Sequence, residues 1–224
     1  MEKVNFDAHA DNYNELLRES VGFFSSDEAY FARYKVALVR GATNLEPKRI
    51  LEYGCGIGRN LPFLKEAFPS SVIEGSDVAP KSLEIARKEN PDISFFLEDG
   101  ASMQSTFDII FVASVYHHIP PPQREAVTAT LASRLNPGGE LYIFEHNPYN
   151  PVTRRIVNNC PYDADAVLLK PSETKALVSS ASMSVTAASY CLFIPPRLSA
   201  LSWMERGLGW LPLGGQYWVR GTRH

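Results

Sequence analysis

The chain has 224 residues, a hydrophobic fraction of 45% and a formal net charge of −3 at pH 7. This length suits one sizeable α/β domain, and the charge excludes a general attraction to nucleic acid or to an anionic membrane. No apolar run is long enough to span a bilayer, so we expect neither stable membrane insertion nor a secretory signal. The cysteines, Cys55, Cys160 and Cys191, are widely spaced, which predicts a reduced, cytoplasmic protein without structural zinc.

Strand and helix patterns alternate along the chain, which favours a parallel sheet covered by helices on both faces. Two amphipathic helices come first, over 7–19 and 26–41. Strands are predicted over 50–53, 72–76, 93–97, 107–112, 140–145, 184–193 and 216–221. Further helices are predicted over 60–67, 80–88, 122–134, 172–180 and 196–208. The strand over 107–112 is the most apolar and should lie at the centre of the sheet.

The segment 146–171 interrupts this alternation with four prolines and no clear period. It is predicted to be a long connection with one or two helical turns, of the kind that often forms a functional lid. The whole chain, 1–224, reads as a single domain. Its predicted parts are a helical cap over 1–45, a cofactor-binding core over 46–146, an acceptor-side insertion with a helix and the sixth strand over 147–213, and a final strand over 214–224.

The segment 50–60 reads as a strand, a tight glycine turn and the start of a helix. Gly54, Gly56 and Gly58 let a ligand approach main-chain N–H groups near a helix N-terminus. Glu52, directly before the turn, disfavours a pyrophosphate and suits a cationic amino-acid group. The dinucleotide pattern G-x-G-x-x-G is also broken, because Arg59 stands where its third glycine belongs.

Three motifs resemble those of class I S-adenosylmethionine-dependent methyltransferases of the small-molecule type. They are E-x-G-x-G-x-G over 52–58, F-D-x-I followed by H-H over 107–118, and L-x-P-G-G-x-L over 135–141. The resemblance implies a doubly wound, mostly parallel seven-stranded sheet whose last strand is antiparallel and enters between strands five and six. It also implies transfer of a methyl group from S-adenosylmethionine to a small-molecule acceptor, with S-adenosylhomocysteine as product.

The resemblance also assigns cofactor contacts after the second and third strands. Asp77 stands about 20 residues after the glycine turn, where such folds bind ribose hydroxyls. Val78 would press on the adenine, and Asp99 would contact its amino group, with Glu98 as the alternative. From the residues alone, Asp77 is also explained as a helix cap, and the acids at 98–99 as a solvated turn.

Further cofactor contacts are implied near the N-terminus and after the fourth strand. The F-D-x-x-A-x-x-Y pattern over 6–13 resembles an opening in which Tyr13 closes over the cofactor carboxylate, although a core tyrosine explains it equally. Cys55 is expected to be a small, unreactive residue of the turn. The implied cofactor-binding residues are Tyr13, Glu52, Gly54, Cys55, Gly56, Asp77, Val78, Asp99, Gly100, Ala101 and Ala113.

Catalytic candidates are His117, His118 and His146. His117 is the first choice for a base or for orienting the acceptor, because neutral imidazole titrates near working pH. The alternative is that the histidine pair caps the following segment and packs. No third ligand has a suitable spacing, so no metal site is expected.

The acceptor and its reacting atom are not specified by these motifs. The segments 146–171 and 193–213 are the expected acceptor elements. We expect no nucleic-acid partner, and a homodimer is left open. Two rival functions share the predicted fold: a nucleotide-cofactor oxidoreductase and a non-catalytic S-adenosylmethionine-binding scaffold.

Overall fold

The computed structural model describes residues 29–99, 105–195, 203–205 and 207–224. The predicted helix over 7–19, with Tyr13, lies outside these residues, as do Gly100, Ala101 and most of the predicted helix over 196–208. None of the described helices has the length and apolarity that a membrane span requires.

Seven strands and six α-helices are described, numbered here in chain order. The strands are β1 (Arg49–Tyr53), β2 (Val72–Asp77), β3 (Ser94–Leu97), β4 (Phe107–Ala113), β5 (Leu135–His146), β6 (Met183–Cys191) and β7 (Gln216–Arg223). The helices are α1 (Tyr30–Ala42), α2 (Leu61–Ala67), α3 (Pro80–Glu89), α4 (Arg124–Ser133), α5 (Pro151–Asn159) and α6 (Pro171–Ser180). Short 3₁₀ turns cover Tyr116–His118, Pro121–Gln123 and Pro161–Asp163.

The strands form one sheet in the order β3-β2-β1-β4-β5-β7-β6. The pairs among β1 to β5 are parallel, whereas β7 is antiparallel to both of its neighbours. The predicted seven-stranded sheet, with its last strand antiparallel between the fifth and the sixth, is therefore confirmed. The central position predicted for the most apolar strand, β4, is confirmed as well.

Helices cover both faces of this sheet. On one face α1, α2 and α3 contribute Val36, Leu64 and Leu83 to a buried cluster with side chains of β1, β4 and β5. On the other face α4 and α6 contribute Leu131 and Val178 to a second cluster. The alternation of side chains along β4 supplies both clusters, which explains why its pattern is almost continuously apolar.

The fifth strand begins earlier than predicted. It runs from Leu135 instead of residue 140, because Leu135 already pairs with Phe107. A bulge follows in this pair of strands, and Gly138 has a φ of 78° there. The predicted glycine turn is therefore part of an irregular strand.

The segment 146–171 is more regular than predicted, because α5 takes up nine of its residues. Asn150 caps this helix by accepting hydrogen bonds from the N–H groups of Val152 and Thr153, at 2.9 and 3.1 Å. Pro151 occupies the first helical position, where proline favours helix initiation, so it is compatible with the one or two helical turns predicted for this segment. Thr153 and Val157 are buried, which fixes one face of α5 against the domain.

Candidate active site

The carboxyl ends of the neighbouring parallel strands β1, β2 and β4 meet at a cavity of about 420 Å³. Ligands of open α/β sheets bind at this edge, where the strand order reverses. The predicted site residues that line the cavity are Glu52, Gly54, Cys55, Gly56, Asp77, Val78, Ala113, His117, His118 and His146. We call the part around Glu52, Gly56 and Asp77 the cofactor side, and the part around the three histidines the acceptor side.

The glycine turn leaves β1 with backbone that only glycine adopts easily. Gly54 and Gly56 have φ angles of 71° and 53°. A Cβ on Gly54 would overlap the Val115 side chain, whereas a Cβ on Gly56 would meet no protein atom within 4 Å. Because Gly56 also lines the cavity, the open space beside it is available to a ligand.

Asp77 joins the glycine turn to the next helix. Its carboxylate accepts hydrogen bonds from the Gly56 N–H at 2.7 Å and from the Ala79 N–H at 2.9 Å. Burial raises the pKa of Asp77, against the opposing effect of these N–H groups. The carboxylate therefore orders local backbone while it lines the cavity, so the cap and the ligand contact are compatible.

Glu52 is a buried carboxyl group with unused hydrogen-bonding capacity. Its side chain is 1% exposed, and Oε1 accepts a hydrogen bond from Asn60 Nδ2 at 2.5 Å. The other oxygen, Oε2, has no hydrogen-bond partner among the described residues. Burial raises the pKa of Glu52 to about 8, although the neighbouring Asn60 and Lys35 oppose this shift. A cationic ligand would compensate the charge, which is what the amino-acid end of S-adenosylmethionine offers.

Lys35 is a cavity residue that the sequence reading missed. It lies on α1, is 8% exposed and lines the cavity. Burial lowers the pKa of Lys35, and Glu52 acts in the opposite direction. The sequence feature that could have identified Lys35 is its place between Ala32 and Val39, on the apolar face of an amphipathic helix. Lysine is almost never buried in such a position unless it has a partner.

Of the two acids expected to contact the adenine, one lines the cavity. Glu98, directly after β3, is among the lining residues, and Asp99 is not. The Glu98 carboxylate accepts two hydrogen bonds from the Arg134 guanidinium, at 2.6 and 2.9 Å. Val78 also lines the cavity and is 55% exposed, which offers an apolar surface to a flat ring.

His117 is held by carboxylates on both sides of its ring. Nδ1 lies 2.6 Å from Glu145 Oε2, and Nε2 lies 3.4 Å from Asp163 Oδ1. Burial lowers the pKa of His117, but the charges of Glu145 and Asp163 outweigh it and raise the pKa to about 10. In this state the imidazole carries a proton at neutral pH, so the neutral base expected at His117 is not what the structure shows.

His146 lies beside His117, with ring centroids 4.9 Å apart. Burial and the charge of His117 lower the pKa of His146 to about 4, so this imidazole is neutral at neutral pH. His118 also lies beside His117, with ring centroids 4.1 Å apart. The three predicted histidines thus form one cluster, and their catalytic roles stay predictions.

The acids of this cluster were not predicted from the sequence. Glu145 is the last residue but one of β5, and its Oε1 also accepts hydrogen bonds from the N–H groups of Val115 and Tyr116, at 3.0 and 2.7 Å. Asp163 and Asp165 come from the 3₁₀ turn after α5 and the residues behind it. Glu145 could have been predicted as a site residue, because it is an acid near the end of an apolar strand. The two aspartates could not, because their position depends on how the chain folds back after α5.

Comparisons with known proteins show what the chain as a whole is similar to. Residues 50–139 match the methyltransferase domain family. The trans-aconitate 2-methyltransferase of Methylobacterium nodulans is 27% identical over 162 residues, which are 66% of this chain and 62% of that protein. This chain therefore spans less than two thirds of that curated relative.

Solved structures show the same fold across the chain. The magnesium protoporphyrin IX methyltransferase of Synechocystis, with bound S-adenosylhomocysteine, has a TM-score of 0.66 at 16% identity and covers 97% of both chains. An S-adenosylmethionine-dependent methyltransferase of Thermotoga maritima has a TM-score of 0.69 at 18% identity, covering 98% of this chain and 100% of its own. The strand order and these similarities together show that this chain has the class I S-adenosylmethionine-dependent methyltransferase fold, and residues 50–139 are the part that matches the methyltransferase domain family.

Proposed function

We propose that this protein transfers the methyl group of S-adenosylmethionine to a small-molecule acceptor bound in the cavity. The observation that carries the proposal is the buried Glu52, whose Oε2 lacks a partner among the described residues, beside a glycine turn open to a ligand. A buried carboxyl group in this position costs stability unless it serves a cationic ligand. The oxidoreductase rival needs a pyrophosphate here, which an acid would repel.

The cofactor side offers a complementary contact to each part of S-adenosylmethionine. Glu52 would hold the ammonium group, Asp77 the ribose hydroxyls, and Val78 the adenine ring. Ala113 and Ser114, at the end of β4, line the cavity between the cofactor side and the histidines. When bound, the cofactor supplies a methyl group made electrophilic by its sulfonium.

The acceptor side then has to hold the acceptor in line with that methyl group and to exclude water. Its three histidines lie together, with His117 buried, and apolar side chains line the same cavity. These apolar lining residues are Ile119, Val127, Val152 and Ile156, with Tyr162 beside the histidines. The curated relative of Methylobacterium nodulans is named for methylating trans-aconitate, a small molecule, which supports a small acceptor. A cytoplasmic location and the lack of a nucleic-acid partner stay predictions, and a homodimer stays open.

The first experiment measures ligand binding by titration calorimetry. The protein is expected to bind S-adenosylhomocysteine at micromolar concentrations and not to bind NAD. Asp92→Asn, at an exposed acid paired with Lys65, is the matched control for charge loss and should leave binding unchanged. Binding of NAD without S-adenosylhomocysteine would reject the proposal.

The second experiment separates an enzyme from a binding scaffold. The protein is incubated with methyl-labelled S-adenosylmethionine and a panel of small carboxylic acids, phenols and amines, and labelled products are identified by mass. An enzyme forms a labelled product with at least one class, and Gly56→Val, which fills the cofactor side, should form none. Cofactor binding without any transfer across the panel would favour the scaffold.

A further inference from the structure

Two histidines and an aspartate on the acceptor side are arranged as a set of metal ligands. His117, His118 and Asp163 each offer one ligand atom, and these atoms lie within 4.8 Å of one another. Both histidine Nε2 atoms lie 3.4 Å from the same oxygen, Asp163 Oδ1. The sequence predicted no metal because Asp163 lies far along the chain from the histidine pair.

The distances suit coordination better than hydrogen bonding. An N–H···O hydrogen bond is normally about 2.7–3.2 Å long, so 3.4 Å is a weak contact for both histidines. Two ligand atoms at about 2.1 Å from a shared ion and at a tetrahedral angle lie roughly 3.4 Å apart. The distances from the two histidine Nε2 atoms to Asp163 Oδ1 therefore equal the distance expected between two ligand atoms of one tetrahedral metal ion.

The outer nitrogen of each histidine is also held in the way that metal-binding histidines require. His117 Nδ1 lies 2.6 Å from Glu145 Oε2, and His118 Nδ1 lies 3.1 Å from Asp165 Oδ1. A carboxylate behind each Nδ1 keeps a proton on that atom and leaves Nε2 to the ion, which at His117 has to displace the second proton of the charged imidazole. A simple packing role would not require this arrangement twice.

The two segments that carry the ligands are fastened to each other. The Val167 N–H donates to the His117 carbonyl at 2.8 Å, and Arg124 donates to the carbonyls of Ile119 and Val167, at 2.9 and 2.6 Å. These bonds fix the residues after Asp163 against the histidine turn. The ligand set is thus preorganised, and little conformational entropy would be lost on binding an ion.

We propose that His117, His118 and Asp163 bind a divalent first-row transition-metal ion whose remaining coordination positions face the cavity. Two imidazoles with one carboxylate suit Fe²⁺, Co²⁺, Ni²⁺ or Zn²⁺ better than Mg²⁺, which prefers oxygen ligands. All three residues line the cavity, so the remaining positions are accessible to an acceptor carrying an oxygen atom. Binding of the acceptor by the ion rests on the proposed function, whereas the ion site itself does not.

Cobalt provides a direct probe. Protein treated with EDTA and then dialysed is titrated with CoCl₂ while the visible absorption spectrum is recorded. We expect saturation at one ion per chain, with the bands of a nitrogen- and oxygen-ligated site. Sodium azide should then shift these bands, because the remaining positions are open. The absence of a saturable spectrum would overturn the site, and a spectrum that azide leaves unchanged would overturn its open positions.

Matched variants assign the ligands. His118→Ala and Asp163→Asn should each weaken cobalt binding at least 100-fold, and Asp165→Asn, which removes a carboxylate behind His118 Nδ1, should weaken it by about 10–100-fold. His224→Ala, at a histidine near the C-terminus bonded to Ser184, should bind cobalt as the wild type does. Equal binding by all four variants would place the ion elsewhere and reject the proposal.

Thermal unfolding and titration with S-adenosylhomocysteine on the same samples verify that each variant is folded. Binding of S-adenosylhomocysteine without cobalt rejects the metal site alone. Binding of cobalt without S-adenosylhomocysteine keeps the metal site and rejects the proposed function. The two proposals are therefore tested separately.

Discussion

The two sides of the cavity are built in different ways. On the cofactor side a single stretch of backbone, the glycine turn, is held by Asp77 from the next strand, 21 residues away. On the acceptor side the contacts are between side chains of distant segments, such as His118 and Asp165, which are 47 residues apart. A backbone-built site leaves a local pattern in the sequence, whereas a side-chain-built site depends on the path of the chain.

The largest effect should come from blocking the backbone-built side. Gly56→Val places a branched side chain in the space beside the turn and forces it into a φ of 53°. We expect S-adenosylhomocysteine binding to weaken by more than about 3 kcal/mol, over roughly 100-fold, from backbone strain and lost space together. Titration calorimetry measures the dissociation constant of S-adenosylhomocysteine for the variant and for the wild type.

The matched control is Gly138→Val, which introduces the same kind of backbone strain at a residue that does not line the cavity. Gly138 has a φ of 78°, and a Cβ there would meet no atom within 4 Å. Gly138→Val should therefore lower the melting temperature without changing affinity. If both variants lost binding equally, the loss would reflect strain and not a ligand beside Gly56.

The next effect separates the two roles of Asp77. Asp77→Ala should weaken S-adenosylhomocysteine binding by about 1–3 kcal/mol, the usual cost of losing hydrogen bonds to a charged group. The protein should remain folded, since β2 keeps its backbone pairing with β1 and β3. Calorimetry and a melting curve check both statements. An unchanged dissociation constant in a folded variant would show that the carboxylate only orders the Gly56 and Ala79 backbone.

This difference also explains what the sequence could predict. Glu52, Gly56 and Asp77 stand at the ends of two strands that pair directly, so their meeting followed from the predicted sheet. Lys35 was not predicted, because it lies among the apolar residues of one helix face. Asp163 reaches the histidines only because α5 turns the chain back, and the prolines of that segment had suggested a connection with little helix.

The pH dependence of binding tests Glu52 by itself. Its pKa of about 8 in the free protein means that the carboxyl group is mostly protonated at pH 7, with Asn60, Lys35 and Asp77 acting on it. A cationic ligand favours the ionised form, so binding releases a proton and affinity rises with pH. The rise should approach about tenfold per pH unit and level off near pH 8.

Calorimetry in buffers with different ionisation enthalpies measures the released proton between about pH 6 and pH 8. Glu52→Gln should bind S-adenosylhomocysteine more weakly and with no proton release from this site. A wild-type affinity that stays constant over this range would mean that Glu52 does not meet the ammonium group.

The smallest effect concerns how firmly the acceptor side is held. Asn150 caps α5 through the N–H groups of Val152 and Thr153, and its Nδ2 donates to the Leu213 carbonyl at 2.7 Å. Asn150→Ala removes these bonds and should destabilise the start of the helix by about 1 kcal/mol, the usual cost of a lost N-cap. Hydrogen exchange of the amides over 151–159 should then speed up about fivefold, since 1.4 kcal/mol corresponds to tenfold.

Asn158→Ala, at an exposed position within the same helix, is the control and should leave exchange unchanged or slower, because alanine is the better helix former. If the amides of the wild type exchange as fast as those of Asn150→Ala, the cap does not hold α5, and the segment behaves as the mobile lid that its prolines predicted. Strong protection in the wild type that Asn150→Ala reduces would instead make α5 a fixed wall of the acceptor side. In that case the acceptor has to enter a preformed cavity, and its shape, more than closure of the segment over it, would decide which small molecules are methylated.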